Sequence, residues 1–366
     1  MKRWRVLGVV LSLLLAGVFA IWVGFFLVDI SNALDQSPTA ATTFATVATA
    51  PVTETTTVPE TVADTTAPTT EPTIETTEAT QPETEPPTTE PTEPEPTETE
   101  PTVNPATGLS AKYAFVYDTA AGEYLYTLGG QYDQINIASI TKLFSAWVAL
   151  QIMPSDKVIT AGEELTWIDE DSSRAWIYQG QKVTVTTCVQ GMIIPSGNDA
   201  AYVLAVATGR ELLGEPNAGA YVALDAFVAE MNARAQAQGL TGTHFTNPDG
   251  IDEEGHYSTP ADVLKMAKLA LSSATISRAA ATTSMTAYYA SGETANWTNS
   301  NHLLHEDSES YCPNAIGLKT GHTNEAGWCL VSAFDEGDRT LIIGVFGSET
   351  IELRNEDTVK LYEEFR

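Results

Sequence analysis

The chain has 366 residues and a formal net charge of −30, from 48 Asp and Glu against 18 Lys and Arg. That balance argues against nucleic acid as a partner, since no basic footprint is present to displace counterions from phosphates. It argues equally against docking on anionic lipid through a basic surface. The charge is unevenly spread, because no Lys or Arg occurs between Val6 and Ala111.

The N-terminus carries Lys2, Arg3 and Arg5 and then an uncharged apolar run from Val6 to Val28. Roughly 20 such residues suffice to cross a bilayer as a helix, and the flanking cations favour a cytoplasmic N-terminus. Residues 1–5 therefore read as a cytoplasmic tail and 6–28 as a transmembrane signal-anchor. A cleaved signal peptide ending near Ser31-Asn32-Ala33 is the alternative, although the run is long for one. Residues 29–106 read as a disordered stalk rich in Thr, Pro and Glu, with too little apolar surface to offset chain entropy. Either N-terminal reading places residues 107–366 outside the cell.

From Thr107 onward the pattern is that of a folded domain. Lys112 to Asp118 and Glu123 to Leu128 read as a hairpin around Thr119-Ala120-Ala121-Gly122. Helical spacing follows at Ile140 to Ile152, Val183 to Ile194, Ala200 to Ala207, Gly219 to Gln238 and Thr259 to Ser272. Strands return at Ala315 to Thr320, Trp328 to Phe334 and Thr340 to Gly347, and a last helix starts near Glu352. Strands at both ends around a helical middle predict an α+β domain with a central antiparallel sheet flanked by helices. Cys188, Cys312 and Cys329 lack metal-ligand spacing. They read as three buried small residues, or as a Cys312–Cys329 disulfide with Cys188 left over.

Three short motifs carry chemistry. Ser139-Ile140-Thr141-Lys142 sits at a helix start, where a spacing of three puts hydroxyl and amine one turn apart. An amine with a lowered pKa can take the serine proton there. Ser196-Gly197-Asn198 follows an apolar stretch, and its hydroxyl and amide suit proton relay and the holding of a substrate amide. Lys319-Thr320-Gly321 closes a strand, offering a cation and a hydroxyl to a carboxylate. The missing side chain at Gly321 would let a substrate backbone lie against the strand. Singly these are a helix face, a turn and a strand end. In this order and setting they form a combined signature.

The chain resembles the serine-type D-Ala-D-Ala carboxypeptidases, the low-molecular-mass penicillin-binding proteins of the penicillin-binding protein and serine β-lactamase superfamily. Beyond the three motifs, the resemblance rests on INIASITKLFSAW, IIPSGNDAAYVLA, THFTNPDGID, HYSTPADVLKMA, NSNHLL and IGLKTGHTNEAGWCLVSA. It spans Lys112 to Arg366. A class A β-lactamase is the nearest competitor, but this chain has Gly197 where such an enzyme would have Asp. No convincing Glu-x-x-x-Asn loop is present either.

The resemblance implies a β-lactamase/transpeptidase-like domain that removes the terminal D-Ala from peptidoglycan stem pentapeptides, with no cofactor and no metal. Ser139 would be the nucleophile and Lys142 its base, with Ser196 and Asn198 relaying the proton and positioning the substrate. Lys319, Thr320, Gly321, His322 and Thr323 would bind it, and the backbone N–H groups of Ser139 and His322 would form the oxyanion hole. Asp199, His256 and Asp262 would serve as caps or internal hydrogen bonds. β-Lactams would acylate Ser139 as mimics of D-Ala-D-Ala. The other functions weighed are a D,D-endopeptidase, a serine β-lactamase and a β-lactam-binding ectodomain without turnover. The chain closes soon after its last helix, so the small β-rich domain and C-terminal anchor common in this family are expected to be missing, with the N-terminal segment replacing them.

Overall fold

The computed structural model describes residues 108–366. The expected tail, anchor and stalk (1–5, 6–28 and 29–106) lie outside these residues. Among the described residues no helix is long and apolar enough to cross a membrane.

The chain enters through a hairpin of β1 (Tyr113–Asp118) and β2 (Glu123–Leu128). A 3-10 turn at Ala138–Ile140 leads into α1 (Thr141–Ile152). Next come β3 (Val158–Thr160), a second 3-10 turn at Glu163–Trp167, and β4 (Lys182–Thr184), which pairs with β3. The helical middle comprises α2 (Val185–Ile193), α3 (Asn198–Leu213), α4 (Ala220–Ala237), α5 (Pro260–Ser272) and α6 (Ala274–Ala281). A small hairpin, β5 (Ser284–Tyr288) and β6 (Thr294–Thr298), precedes β7 (Ala315–Thr323), β8 (Gly327–Asp335) and β9 (Thr340–Ser348). Helix α7 (Ile351–Phe365) ends the fold.

The main sheet has the order β2-β1-β9-β8-β7, with every neighbouring pair antiparallel. The first and last segments of the domain are thus joined, β1 lying beside β9. Both faces of the sheet are covered. Phe115 and Tyr117 of β1 and Ile342 and Phe346 of β9 face the large helical core, which includes Leu143, Phe144, Val189 and Phe245. Ala114, Val116, Leu341, Ile343 and Val345 face the other way, toward Leu361 and Tyr362 of α7. Period-two alternation therefore separates two cores, not core from solvent.

Helix starts follow local chemistry. Thr184 accepts a hydrogen bond from Thr187 N at the head of α2, and Thr350 does the same for Leu353 N at α7. Thr259 caps α5, where Pro260 occupies the first turn and needs no N–H partner. The apolar stretch from Val183 to Ile194 is not one helix, because the Thr184 cap divides it into β4 and α2. The helix expected over Ala200 to Ala207 is longer at both ends. All three cysteines are buried and free, so the disulfide alternative is not formed.

Candidate active site

The three motifs converge on one cleft of about 550 Å³ between the edge strand β7 and the start of α3. Ser139 lies in the 3-10 turn before α1, half-buried, and lines the cleft. Ala138 just before it has φ +48°, a costly conformation for a residue with a Cβ. Gly250 presses on this kink from behind. Its φ is +90°, and a Cβ there would come within 1.9 Å of the Ala138 carbonyl oxygen. The Asn247-Pro248-Asp249-Gly250 turn thus packs directly against the turn that carries Ser139.

Lys142 is fully buried and central. Its Nζ donates to Ser139 Oγ at 2.7 Å, to Asn198 Oδ1 at 2.7 Å and to the Asp249 backbone carbonyl at 3.0 Å. Burial lowers its pKa to about 8, against opposing pulls from Asp249 and Asp199. Its cation is thus less favoured than that of an ordinary lysine, and the amine, once it has lost a proton, lies against the serine hydroxyl where it can accept that hydrogen.

Ser196 occupies the turn between α2 and α3 with φ +62°, a second strained position at the site. Its Oγ accepts a hydrogen bond from Lys319 Nζ at 2.9 Å, and that amine also donates to the Thr320 carbonyl at 2.9 Å. Burial, and then the charges of Lys142 and Arg354, hold Lys319 well below the ordinary lysine range. The two lysines thus each bond one hydroxyl, Lys142 to Ser139 and Lys319 to Ser196.

Asp199 braces the turn. Its carboxylate accepts hydrogen bonds from Ala175 N at 2.7 Å, Ile177 N at 3.0 Å and Ala200 N at 2.9 Å, tying the 168–178 segment to the start of α3. Segment residues Ser172 and Ser173 line the cleft. His256 meets the Thr141 hydroxyl at 2.9 Å beneath α1, and Asp262 accepts from Gly242 N and Thr243 Oγ1. These three residues make internal contacts, in line with the sequence expectation.

On β7, Thr320 faces the cleft with its hydroxyl 2.5 Å from Ser300 Oγ. Gly321 lines the cleft too, but for a different immediate reason than expected. A Cβ there would come within 3.0 Å of the Ile137 carbonyl and 3.1 Å of Ser139 N, so glycine lets the edge strand close on the turn that carries Ser139. The His322 ring stacks on Trp328 at 4.0 Å between centroids, and partial burial lowers its pKa. Thr323 reaches the cleft, yet its hydroxyl already donates to Asp252 at 2.8 Å and accepts from Ala326 N. It shapes the rim through Asp252.

Arg354 on α7 was not among the expected site residues. It is 1% exposed and lines the cleft beside Thr320 and Trp328. Its guanidinium donates to Asn355 Oδ1 through Nε at 3.1 Å and Nη2 at 2.8 Å, and lies 5.8 Å from the Trp328 ring. No carboxylate among the described residues pairs with it. Burial lowers its pKa only to about 10, so it stays charged and can hold an anion in the cleft. Ser300 was also missed as a site residue, although it falls within the quoted NSNHLL stretch. Among the described residues no cluster of His, Cys, Asp or Glu is arranged to hold a metal.

A buried amine on a serine hydroxyl, a second lysine–serine pair and an edge strand beside them define the serine acyl-enzyme class of the penicillin-binding fold. The D-alanyl-D-alanine carboxypeptidase family model matches residues 98–350, and the chain belongs to that family. It is 32% identical over 262 residues to a D-alanyl-D-alanine carboxypeptidase of Streptomyces sp. strain K15, covering 69% of this chain and 86% of the relative. It is 30% identical over 258 residues to the D-alanyl-D-alanine carboxypeptidase DacF of Bacillus subtilis, covering 69% of this chain and 61% of that longer protein. Among solved structures, the Streptomyces K15 DD-transpeptidase superposes with a TM-score of 0.63 at 32% identity, covering 70% of this chain and 96% of that one. Penicillin-binding protein D2 of Listeria monocytogenes, in an ampicillin-bound form, matches with a TM-score of 0.57 at 27% identity, covering 70% and 97%.

Proposed function

We propose that this protein is a serine-type D-alanyl-D-alanine carboxypeptidase acting on peptidoglycan stem peptides. The observation that carries the reading is the Lys142 amine, buried and held 2.7 Å from both Ser139 Oγ and Asn198 Oδ1. Ser139 Oγ attacks the carbonyl of the penultimate D-Ala while its proton passes to Lys142. The backbone N–H groups of Ser139 and His322 stabilise the oxyanion. Ser196, bonded to Lys319, gives its proton to the departing D-Ala nitrogen as the peptide bond breaks and takes the one held by Lys142, which is left neutral again. Water then attacks the acyl-enzyme, Lys142 takes its proton, and Ser139 recovers its hydrogen as the shortened peptide leaves. Thr320, Lys319 and Arg354 hold the terminal carboxylate, and Asn198 positions the peptide. A β-lactam ring meets the same groups and acylates Ser139.

The domain over 107–366 is exported, and residues 6–28 tether it to the membrane with residues 1–5 inside and 29–106 as spacer. The uncharged run after Lys2, Arg3 and Arg5 supports this part. Acyl transfer to an amine is a second reading, supported by the solved Streptomyces structure being described as a DD-transpeptidase.

Incubating the full chain with a fluorescent penicillin separates the related activities. A stable adduct lost in Ser139→Ala supports the proposal, whereas rapid release of opened penicillin points to a β-lactamase. Adding D-Ala-D-Ala peptide with an acceptor amine distinguishes hydrolysis from transfer by the mass of the product, and a cross-linked dimer tests endopeptidase cleavage.

A further inference from the structure

The chain leaving the Asn247-Pro248-Asp249-Gly250 turn carries Asp252, half-buried and lining the cleft. Its Oδ1 accepts hydrogen bonds from Asn136 Nδ2 at 3.2 Å and Thr323 Oγ1 at 2.8 Å, and its Oδ2 accepts from Glu325 N at 3.2 Å. Asn136 lies three residues before Ser139, and Thr323 directly follows His322 in β7. One carboxylate thus bridges the two segments that bear the proposed oxyanion N–H groups. Among the described residues no hydrogen bond runs directly between residues 136–139 and residues 321–325. Apart from Asp252, their spacing is set by the packing of Gly321 against Ile137 and Ser139.

The loop that presents Asp252 is itself fixed to the base. Asn247 Oδ1 accepts from Gly250 N at 2.8 Å and its Nδ2 donates to the Ile251 carbonyl at 3.0 Å, so the turn closes on its own side chain. Ser145 Oγ, one helical turn beyond Lys142, donates to the Pro248 carbonyl at 2.7 Å, and Lys142 Nζ donates to the Asp249 carbonyl at 3.0 Å. Gly250 packs against the Ala138 carbonyl. Base, serine turn and the end of β7 are therefore all held to one short loop, the last of them through Asp252. Hydrogen bonds to a carboxylate are shorter and stronger than neutral ones, which suits this group to fix the separation of the segments it joins.

We propose that Asp252 is a positioning residue for acyl transfer, setting the gap between the Ser139 and His322 N–H groups and so the fit of the tetrahedral oxyanion. The inference rests on the proposed reaction at Ser139, since that reaction assigns the oxyanion to those two groups. Asp252 acts through its neighbours: Asn136 carries the constraint toward the serine turn, and Thr323 carries it to the adjacent peptide unit of His322. Misplacing oxyanion donors by about 1 Å can cost on the order of 100-fold in rate. The groups proposed to hold the substrate carboxylate are bonded elsewhere, Lys319 to Ser196, Thr320 to Ser300 and Arg354 to Asn355. Loss of Asp252 therefore weakens the transition state and leaves ground-state binding in place.

The test measures acylation of the full chain by penicillin, release of D-Ala from a peptide, and binding of a peptide boronic acid that forms a tetrahedral adduct on Ser139. Asp252→Ala should slow acylation at saturating penicillin about 10- to 100-fold and weaken the boronic acid by a similar factor. Binding of the noncovalent product peptide should change by less than about threefold. Thr323→Val should slow acylation in the same way, Thr323→Ser should keep the rate because it keeps the hydroxyl, and Thr323→Val should cost nothing more in the Asp252→Ala background. A lower thermal midpoint with acylation and boronic acid binding unchanged would overturn the proposal, as would a loss confined to product binding. Losses from Asp252→Ala and Thr323→Val that multiply independently would overturn it too. If Asp252→Ala does not fold, the contrast between Thr323→Val and Thr323→Ser decides through the single hydrogen bond, and equal rates for those two would refute the role. If the unaltered chain releases no D-Ala while penicillin still acylates Ser139, the carboxypeptidase reading fails, and Asp252 is judged from penicillin and the boronic acid alone. A chain that penicillin does not acylate would refute both.

Discussion

At the scale of single residues the account turns on the protonation of Lys142. Burial disfavours its cation, so the proton leaves at about pH 8, below the ordinary lysine value. Only the neutral amine can take the Ser139 proton, so acylation should rise with pH through that value and flatten above it. Below it the rate should fall about tenfold per pH unit. Stopped-flow acylation by a β-lactam from pH 6 to 10 checks this, and a flat profile would contradict it. Arg354 makes a separate prediction. Arg354→Leu should lower kcat/KM on the order of 100-fold for a peptide ending in a free carboxylate, the loss of one charge-assisted pair worth about 2–3 kcal/mol. The same substitution should cost much less on the C-terminal amide of that peptide. Equal losses on both would show that Arg354 supports the fold and not the carboxylate.

At the scale of elements the site depends on a clamp between segment 168–178 and the start of α3. Asp199→Ala would leave Ala175 N and Ile177 N buried without their acceptor. The expected cost is about 2–4 kcal/mol, read as a lower urea midpoint, with Asp199→Asn falling between the two. An unchanged midpoint would mean that the segment finds other partners. This scale also shows where the sequence was readable. The strands of the main sheet, the α7 start and helices α1, α4 and α5 lay within a few residues of their expected bounds. The Thr184 cap inside an apolar run was the exception, since a three-residue strand carries too little pattern to separate it from α2. The β5–β6 hairpin and the short α6 escaped for the same reason. The three motifs were legible because each couples a nucleophile, amide or cation to a local turn. Arg354 was not, because its role arises only when α7 packs beside β7 and β8.

At the scale of the molecule, charge sets the conditions of substrate capture. Residues 106–366 hold 33 acidic and 15 basic side chains, so this part of the chain is acidic in its own right. In the proposed reading a peptide carboxylate approaches against that field and is captured at close range by Lys319, Thr320 and Arg354. Raising salt from 50 to 500 mM should leave kcat/KM unchanged or raise it, because screening removes a long-range repulsion. A steep fall with salt would instead indicate long-range attraction that this charge distribution does not provide. The most direct test of the central claim is the release of free D-Ala from a stem pentapeptide by the full chain. The account predicts one D-Ala per peptide, with release abolished in Ser139→Ala and blocked by prior penicillin. Release that persists in Ser139→Ala, or none from a protein whose Ser139 still binds penicillin, would contradict it.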